Sequence, residues 1–305
     1  MIIKSLKIDL SPMINTNSRR KTILETQGEV IGLNEHDGGQ ISMRLQCPDI
    51  VEEALPGQFI HIRCSNWLQM RRPMSIMRAS ENGGWLEILF KKTGVGTEAL
   101  SLCKPGESLK ILGPIGNSFR LDNYLKHVIL IGGGVGIPPL LFLAEHIKKS
   151  NPNSSIIVFM GSEVPFPFKL TPSKIYVGSE LGQAIAGIPF LEDLGVPSRL
   201  ASNQGFAGCY FGHVTNLASE YLRKLPCEKE EIEIFACGPN PMLIEAQKVA
   251  KAYAHRSQIS VEENMACAVG GCAGCTIAIQ SESEITMKRV CVDGPIFDGT
   301  SVIFS

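Results

Sequence analysis

The chain has 305 residues, 44% of them hydrophobic, a formal net charge of −1 and a mean hydropathy of +0.10. That length exceeds one small core and predicts two or three domains. The balanced charge excludes a general attraction to nucleic acid or anionic membrane. No apolar run can span a bilayer, since the best stretch, His127–Leu143, is broken by glycines and prolines.

Residues 1–24 are polar and aperiodic, with Asn15-Thr16-Asn17-Ser18-Arg19-Arg20, and are expected as a loose extension. Residues 25–122 read as short strands: Gln40–Gln46, Gln58–Cys64, Pro73–Arg78, Trp85–Lys91 and Ser108–Leu112. The turns between them are H-D-G-G, L-P-G, E-N-G-G and K-P-G-E. Many short strands at even spacing predict an antiparallel β-barrel. Arg71-Arg72-Pro73-Met74-Ser75 places a basic pair at a strand entry. Arg71 suits a pyrophosphate, and Pro73, Met74 and Ser75 suit the edge of a planar ring; a solvated strand entry explains the same residues. Gly94-Val95-Gly96-Thr97 is a glycine-bracketed turn opening a helix. Gly94, Gly96 and Thr97 suit a phosphate, with a plain capped helix as the alternative. Both features in one barrel predict a flavin nucleotide.

From Lys126 the pattern changes. The apolar strand His127–Ile131 runs into Gly132-Gly133-Gly134-Val135-Gly136 and a helix over Pro138–Lys149. A second buried strand follows at Ser155–Met160. A third, Glu231–Ala236, leads into Cys237-Gly238-Pro239-Asn240-Pro241-Met242 and a helix to Tyr253. Alternating strands and helices predict a parallel α/β nucleotide-binding domain over 123–254. Gly132, Gly133, Gly134 and Gly136 at a strand–helix junction allow close approach to a pyrophosphate, though the spacing departs from G-x-G-x-x-G. Gly238 and Pro239 sit at a strand's carboxyl end, where such sheets bind ligands, and Cys237 is expected to face a nicotinamide as the catalytic residue; a buried structural cysteine is the alternative. Met160-Gly161-Ser162-Glu163 offers an acid where a 2′-phosphate needs a base, which favours NAD over NADP. The Pro-rich stretch 163–172 has no assigned role.

A hinge is expected over Ala254–Ser260, and a small cluster domain over 255–305. Its cysteines, Cys267, Cys272, Cys275 and Cys291, are spaced C-x4-C-x2-C-x15-C. With ten cysteines in the chain, an average window of that span holds fewer than one, and this one holds four. Four thiolates in this order suit a [2Fe–2S] cluster. Gly270, Gly271 and Gly274 let amide N–H groups turn toward sulfur. Structural zinc is the rival, although zinc ribbons use two C-x2-C knuckles and only one is present. A disulfide framework needs an oxidising compartment. No apolar leader opens the chain and the other six cysteines are scattered, so a cytoplasmic protein with reduced thiols is expected.

These motifs in this order resemble the ferredoxin–NADP reductase superfamily. The C-terminal cysteine segment with C-V-D-G-P narrows the likeness to electron-transfer subunits of type B dihydroorotate dehydrogenases. The resemblance covers about residues 25–305 and implies FAD on the barrel, NAD on the α/β domain and [2Fe–2S] on the four cysteines. It further implies an FMN-containing dihydroorotate dehydrogenase catalytic subunit as partner in a heterotetramer of two of each, serving pyrimidine biosynthesis. An NAD(P)H-dependent flavin/iron–sulfur reductase (diaphorase) subunit serving a hydrogenase or ferredoxin has the same cofactors. The family loop carries glycine after the first cysteine where this chain has Ala268, and a left-handed backbone there would strain an alanine.

Overall fold

A computed structural model describes residues 23–121, 126–177, 181, 184–281 and 284–304. The expected extension over 1–24 therefore lies outside the described residues except for its last two, and Leu24 already opens a strand.

Six strands close into an antiparallel barrel in the order β1-β2-β5-β4-β3-β6. They are β1 (Leu24–His36), β2 (Gln40–Gln46), β3 (Phe59–Ile62), β4 (Arg72–Ser80), β5 (Trp85–Lys91) and β6 (Ser108–Ile115). Alternation builds its interior: Ile41, Met43 and Leu45 from β2 join Ile60, Ile62, Ile76, Leu86 and Ile88, none more than 1% exposed. Each such side chain contributes roughly 1.5–3 kcal/mol by leaving water. Short helices α1 (Pro48–Val51) and α2 (Val95–Ser101) lie in the β2–β3 and β5–β6 connections.

The chain continues through β7 (His127–Gly133), α3 (Ile137–Ser150), β8 (Ser155–Gly161), β9 (Thr171–Pro172), β10 (Ala186–Gly187) and α4 (Pro189–Asp193). Then come β11 (Ser198–Ser202), β12 (Tyr210–Phe211), α5 (Val214–Lys224), β13 (Ile232–Cys237), α6 (Asn240–Tyr253) and β14 (Arg256–Ser260). Strands β12-β11-β8-β7-β13-β14 pair in parallel. Burial on both faces explains the unbroken apolar run of β7 and the largely apolar β13, whose one charge, the buried Glu233, accepts from Arg256 and Gln258.

The expected hinge at Ala254–Ser260 is corrected: Arg256–Ser260 is β14, a strand of this sheet. The expected boundary at 255 thus falls at the start of a strand. After β14 the chain leaves the sheet for β15 (Thr276–Gln280) and β16 (Ile285–Arg289). It returns as β17 (Ile296–Asp298), antiparallel to β14, and ends on β18 (Val302–Ile303), which joins a three-stranded sheet β16-β15-β18.

Two seams hold these parts together. At the first, α3 is wedged between barrel and sheet. Its Phe142 belongs to the barrel core, and its buried Glu145 accepts from Arg78 of β4 at 3.3 Å. At the second, Phe59 and Ile115 of the barrel share one core with Val261, Ala268, Cys275, Val290 and Cys291 of the cysteine segment. The Pro-rich stretch also reaches the barrel: Gln40 Nε2 donates to the Pro165 carbonyl at 2.7 Å. Among the described residues no helix is long and apolar enough to cross a membrane.

Candidate cofactor sites

A cavity of about 590 Å³ opens where barrel, parallel sheet and cysteine segment meet. Arg72, Pro73, Met74 and Ser75 of β4, with Thr93 just before α2 and Thr97 in its first turn, line its barrel side. Val135 and Asn240 line the sheet side, and residues 260–265 form the third wall. Its volume and its mixture of apolar walls with a few polar groups fit a flavin ring system.

Of the barrel residues expected from the sequence, Pro73, Met74, Ser75 and Thr97 line the cavity. Arg71 does not. It forms an ion pair with Glu25 of β1, and Arg72 lines the cavity in its place. Arg72 lies against α2: a Cβ on Gly96 would stand 2.8 Å from its Nε. Gly96 is thus the space that lets the guanidinium reach the α2 turn. Gly94 caps α2 in extended backbone with open space around it. The Thr97 hydroxyl accepts from the N–H groups of Thr93 and Gly94 at 3.0 and 3.2 Å, so it shapes the loop as well as the cavity wall.

The glycine turn after β7 and the Cys237–Pro239 loop are brought together, because β7 and β13 pair with Gly132 opposite Cys237. A Cβ on Gly136 would stand 2.5 Å from Gly238 Cα, and one on Gly133 would stand 2.5 Å from Met242 Sδ. Those glycines permit loop-on-loop packing. Gly134, at φ 56° and with no neighbour within 4 Å, faces open space, and Gly132 lies within 3.1 Å of Leu140 Cδ1 by the same construction. Pro239 caps α6.

Cys237 is fully buried and is not among the cavity-lining residues. Its strand partner Ser260 and the nearby Glu262 are. Burial, and then the Glu262 carboxylate, push the Cys237 thiol far up, so it stays protonated and non-nucleophilic. Glu262 is exposed at the cavity, and the protein around that concave wall raises its carboxyl above the ordinary range by partial desolvation. Sequence reasoning missed Glu262 and Arg72. The signal for Glu262 was an acidic pair, Glu262-Glu263, directly between an apolar strand and the cysteine loop.

His61 was missed as well. It is 1% exposed on β3, and neither ring nitrogen has a hydrogen-bond partner. Burial, and then the charge of Arg71, lower its pKa to about 4, so the ring is neutral. The carbonyls of Arg71 and Met265 lie close enough to influence it, so it stands between the barrel's arginine pair and the cysteine segment.

The four predicted ligand cysteines converge. Cys267 Sγ accepts the N–H of Cys272 at 3.4 Å, and Cys272 Sγ accepts that of Gly274 at 3.4 Å. Burial opposes ionisation of Cys267, but the N–H groups of Val269, Cys272 and Gly271 outweigh it and bring the thiol down to about 6. Burial pushes Cys291 up to about 12, with Cys275 adding to the shift and the Gly270 amide opposing it. Four converging sulfurs, three of them met by backbone N–H donors, fit the negative charge of an iron–sulfur cluster. The loop needs left-handed backbone at Gly270, at Ala268 (φ 55°) and at Ala273 (φ 53°), so the strain anticipated at Ala268 is present.

Comparison with known proteins places these features in a family. Residues 262–303 match the model of the iron–sulfur cluster binding domain of dihydroorotate dehydrogenase B, and residues 33–119 match an oxidoreductase FAD-binding domain. The "Dihydroorotate dehydrogenase B (NAD(+)), electron transfer subunit" of Desulforamulus reducens is 30% identical over 264 residues, covering 86% of this chain and 92% of its own. That of Caldanaerobacter subterraneus subsp. tengcongensis is 32% identical over 249 residues, covering 82% and 87%. Among solved structures, an NADH-dependent reduced ferredoxin–NADP oxidoreductase shares the fold with a TM-score of 0.73 at 24% identity, over 90% of this chain and 89% of that one.

Proposed function

This chain belongs to the family of dihydroorotate dehydrogenase B electron-transfer subunits, and from that premise we propose that it delivers to NAD+ the electrons that an FMN-containing partner takes from dihydroorotate. FAD and [2Fe–2S] are the resident cofactors. Together they supply conversion between the electron pairs of a nicotinamide and the single electrons of an iron–sulfur centre.

The observation that carries this reading is continuity along the chain. The cavity's third wall ends at Met265, and the first ligand cysteine is Cys267. Two residues of chain span at most about 7 Å, so flavin cavity and cluster loop adjoin. Arg72 holds the FAD pyrophosphate, with the Gly94–Thr97 turn beside it, while Pro73, Met74 and Ser75 line the ring. Gly132–Gly136 and Gly238–Pro239 receive the nucleotide at the carboxyl ends of β7 and β13. Cys237 acts from behind Ser260 and Glu262 as a positioning residue. Ser162 and Glu163, following β8, favour the free 2′-hydroxyl of NAD over the 2′-phosphate of NADP.

The partner's docking face is the exposed side of the cysteine segment. Around the exposed Cys272 stand Gly271 and Ala273, also exposed, and the half-exposed Gly270 and Val269. On the outer face of the three-stranded sheet, Met287 and Ile303 lie opposite Ala278 in register, with Ile285 two residues away. Ile285 and Met287 are 61% and 62% exposed, an apolar area suited to permanent burial against a catalytic subunit. Two copies of each subunit complete the assembly.

The test is anaerobic reconstitution. NAD+ reduction by dihydroorotate requires both this chain and an FMN-containing dihydroorotate-oxidising subunit, and light scattering gives the mass of two of each. Equal NAD+ reduction with ferredoxin or a hydrogenase in place of that subunit, and none with it, overturns the assignment of partner.

A further inference from the structure

The strands of the parallel sheet begin at the edge opposite the cofactors. There, three donor side chains converge: His127, the first residue of β7; Cys227, in the turn after α5; and Glu231, just before β13. Their ligand atoms lie within 4.8 Å of one another and all three residues are half-buried. None of them serves the flavin, nucleotide or cluster sites. The surroundings resemble those of a ligating triad. His127 Nδ1 stands 3.3 Å from the hydroxyl of Ser155 on β8, the kind of hydrogen bond that fixes an imidazole's orientation for metal binding. Glu231 holds a cation already, since Lys126 Nζ lies 3.1 Å from its Oε1.

We propose that His127, Cys227 and Glu231 form a binding site for a divalent transition metal of the zinc type, with a fourth position open to water. One nitrogen, one sulfur and one oxygen make a mixed donor set that suits Zn²⁺ and does not suit Mg²⁺ or Ca²⁺, which take oxygen. Binding releases the Cys227 thiol proton to solvent and competes with Lys126 for Glu231. The ion ties the start of β7 to the connection between α5 and β13, adding to the pairing of His127 with Ile232 and to the surface pair Lys126–Glu231. It therefore stabilises the nucleotide-binding sheet from the edge remote from chemistry, by preferential binding to the folded state.

The test uses holoprotein whose flavin and iron content are verified, titrated with Zn²⁺ against a chromophoric chelator. One zinc per chain beyond the iron sites is expected. Affinity falls at least tenfold in Cys227→Ser and in His127→Gln and rises in Lys126→Met, while NADH–dye reductase activity stays unchanged. In the unmodified protein, Zn²⁺ protects Cys227 from maleimide labelling, located by peptide mass, and this holds even if a variant fails to fold. Zinc uptake equal in wild type and the Cys227→Ser/His127→Gln double variant, or labelling of Cys227 indifferent to Zn²⁺, overturns the proposal.

Discussion

Replacing Gly136 by alanine places a methyl group where the backbone leaves no room. The new Cβ would stand 2.5 Å from both N and Cα of Gly238 and 2.7 Å from the carbonyl carbon of Cys237. Carbon atoms at contact sit about 3.5–4.0 Å apart, so the two loops must separate by about 1 Å. Alanine's own backbone is at ease there, because Gly136 has φ −79° and ψ −4°. The perturbation is therefore purely steric, and the clashing atoms are backbone that no rotamer change can move aside. Overpacking of this kind costs about 1–3 kcal/mol. If the nucleotide must restore the native spacing to bind, the KM for NADH rises roughly 5- to 150-fold. Steady-state NADH–dye reduction measures it on flavin-saturated protein, with iron content as the control that stays at its wild-type value, since Val135 and Asn240 of these loops line the flavin cavity whereas the cluster cysteines lie outside them. A KM within twofold of wild type together with an unchanged melting temperature would refute the reasoning, because it would mean the loops are not in contact.

Three further outcomes follow from the geometry. Arg72→Ala weakens FAD binding by about 1.5–3 kcal/mol, roughly 10- to 150-fold, as loss of a charge-assisted contact, whereas Arg71→Ala, which breaks only a surface pair, leaves it within a few-fold; flavin-release titrations separate the two. His61 has a folded pKa of about 4 against 6.5 when free, so the unfolded state binds more protons between those values. Its contribution, about 3 kcal/mol at most, is fully present above pH 6.5 and is lost as pH falls toward 4, and His61→Leu flattens that part of the stability–pH curve; an unaltered slope in denaturant titrations counts against it. Ala273→Gly relieves left-handed strain at an exposed site and stabilises by roughly 0.5–1 kcal/mol, while Ala268→Gly comes out near zero because it also loses a buried methyl; unfolding midpoints should rank them so.

The parts that were legible in the sequence are those where one physical rule dominates. Alternation at Ile41, Met43 and Leu45 marks a half-buried strand, the unbroken run in β7 marks a doubly buried one, and the cysteine spacing reads as a ligand set. Strand β14 was not legible because R-S-Q-I-S looks like solvent-exposed chain. Its Ser257, Gln258 and Ser260 are nevertheless 4% exposed. Gln258 can be buried because its amide donates to the Arg120 carbonyl at 2.8 Å and to Glu233 at 3.2 Å, and its oxygen accepts from the Arg120 N–H at 2.9 Å. No local pattern encodes partners 138 and 25 residues away. Which of Arg71 and Arg72 lines the cavity was not legible for a related reason: Arg71, just before β4, pairs with Glu25 on another strand, and Arg72, the first residue of β4, is left to the cavity. Likewise the docking of the Pro-rich stretch on the barrel depends on Gln40, 125 residues earlier.

The return of the chain from the cysteine loop to β17 has a kinetic consequence. The loop departs from β14 and comes back to β14's own edge, so it is moored at both ends by strand pairing, with Asn117 of the barrel adding hydrogen bonds to the carbonyls of Asp293 and Gly294. A carrier module on a single tether ferries charge by swinging, and its turnover slows as the solvent thickens. A doubly moored loop cannot swing. The mooring predicts a fixed cluster position, so turnover at saturating NAD+ is expected to be indifferent to glycerol or sucrose, and a rate that falls in proportion to viscosity would refute it.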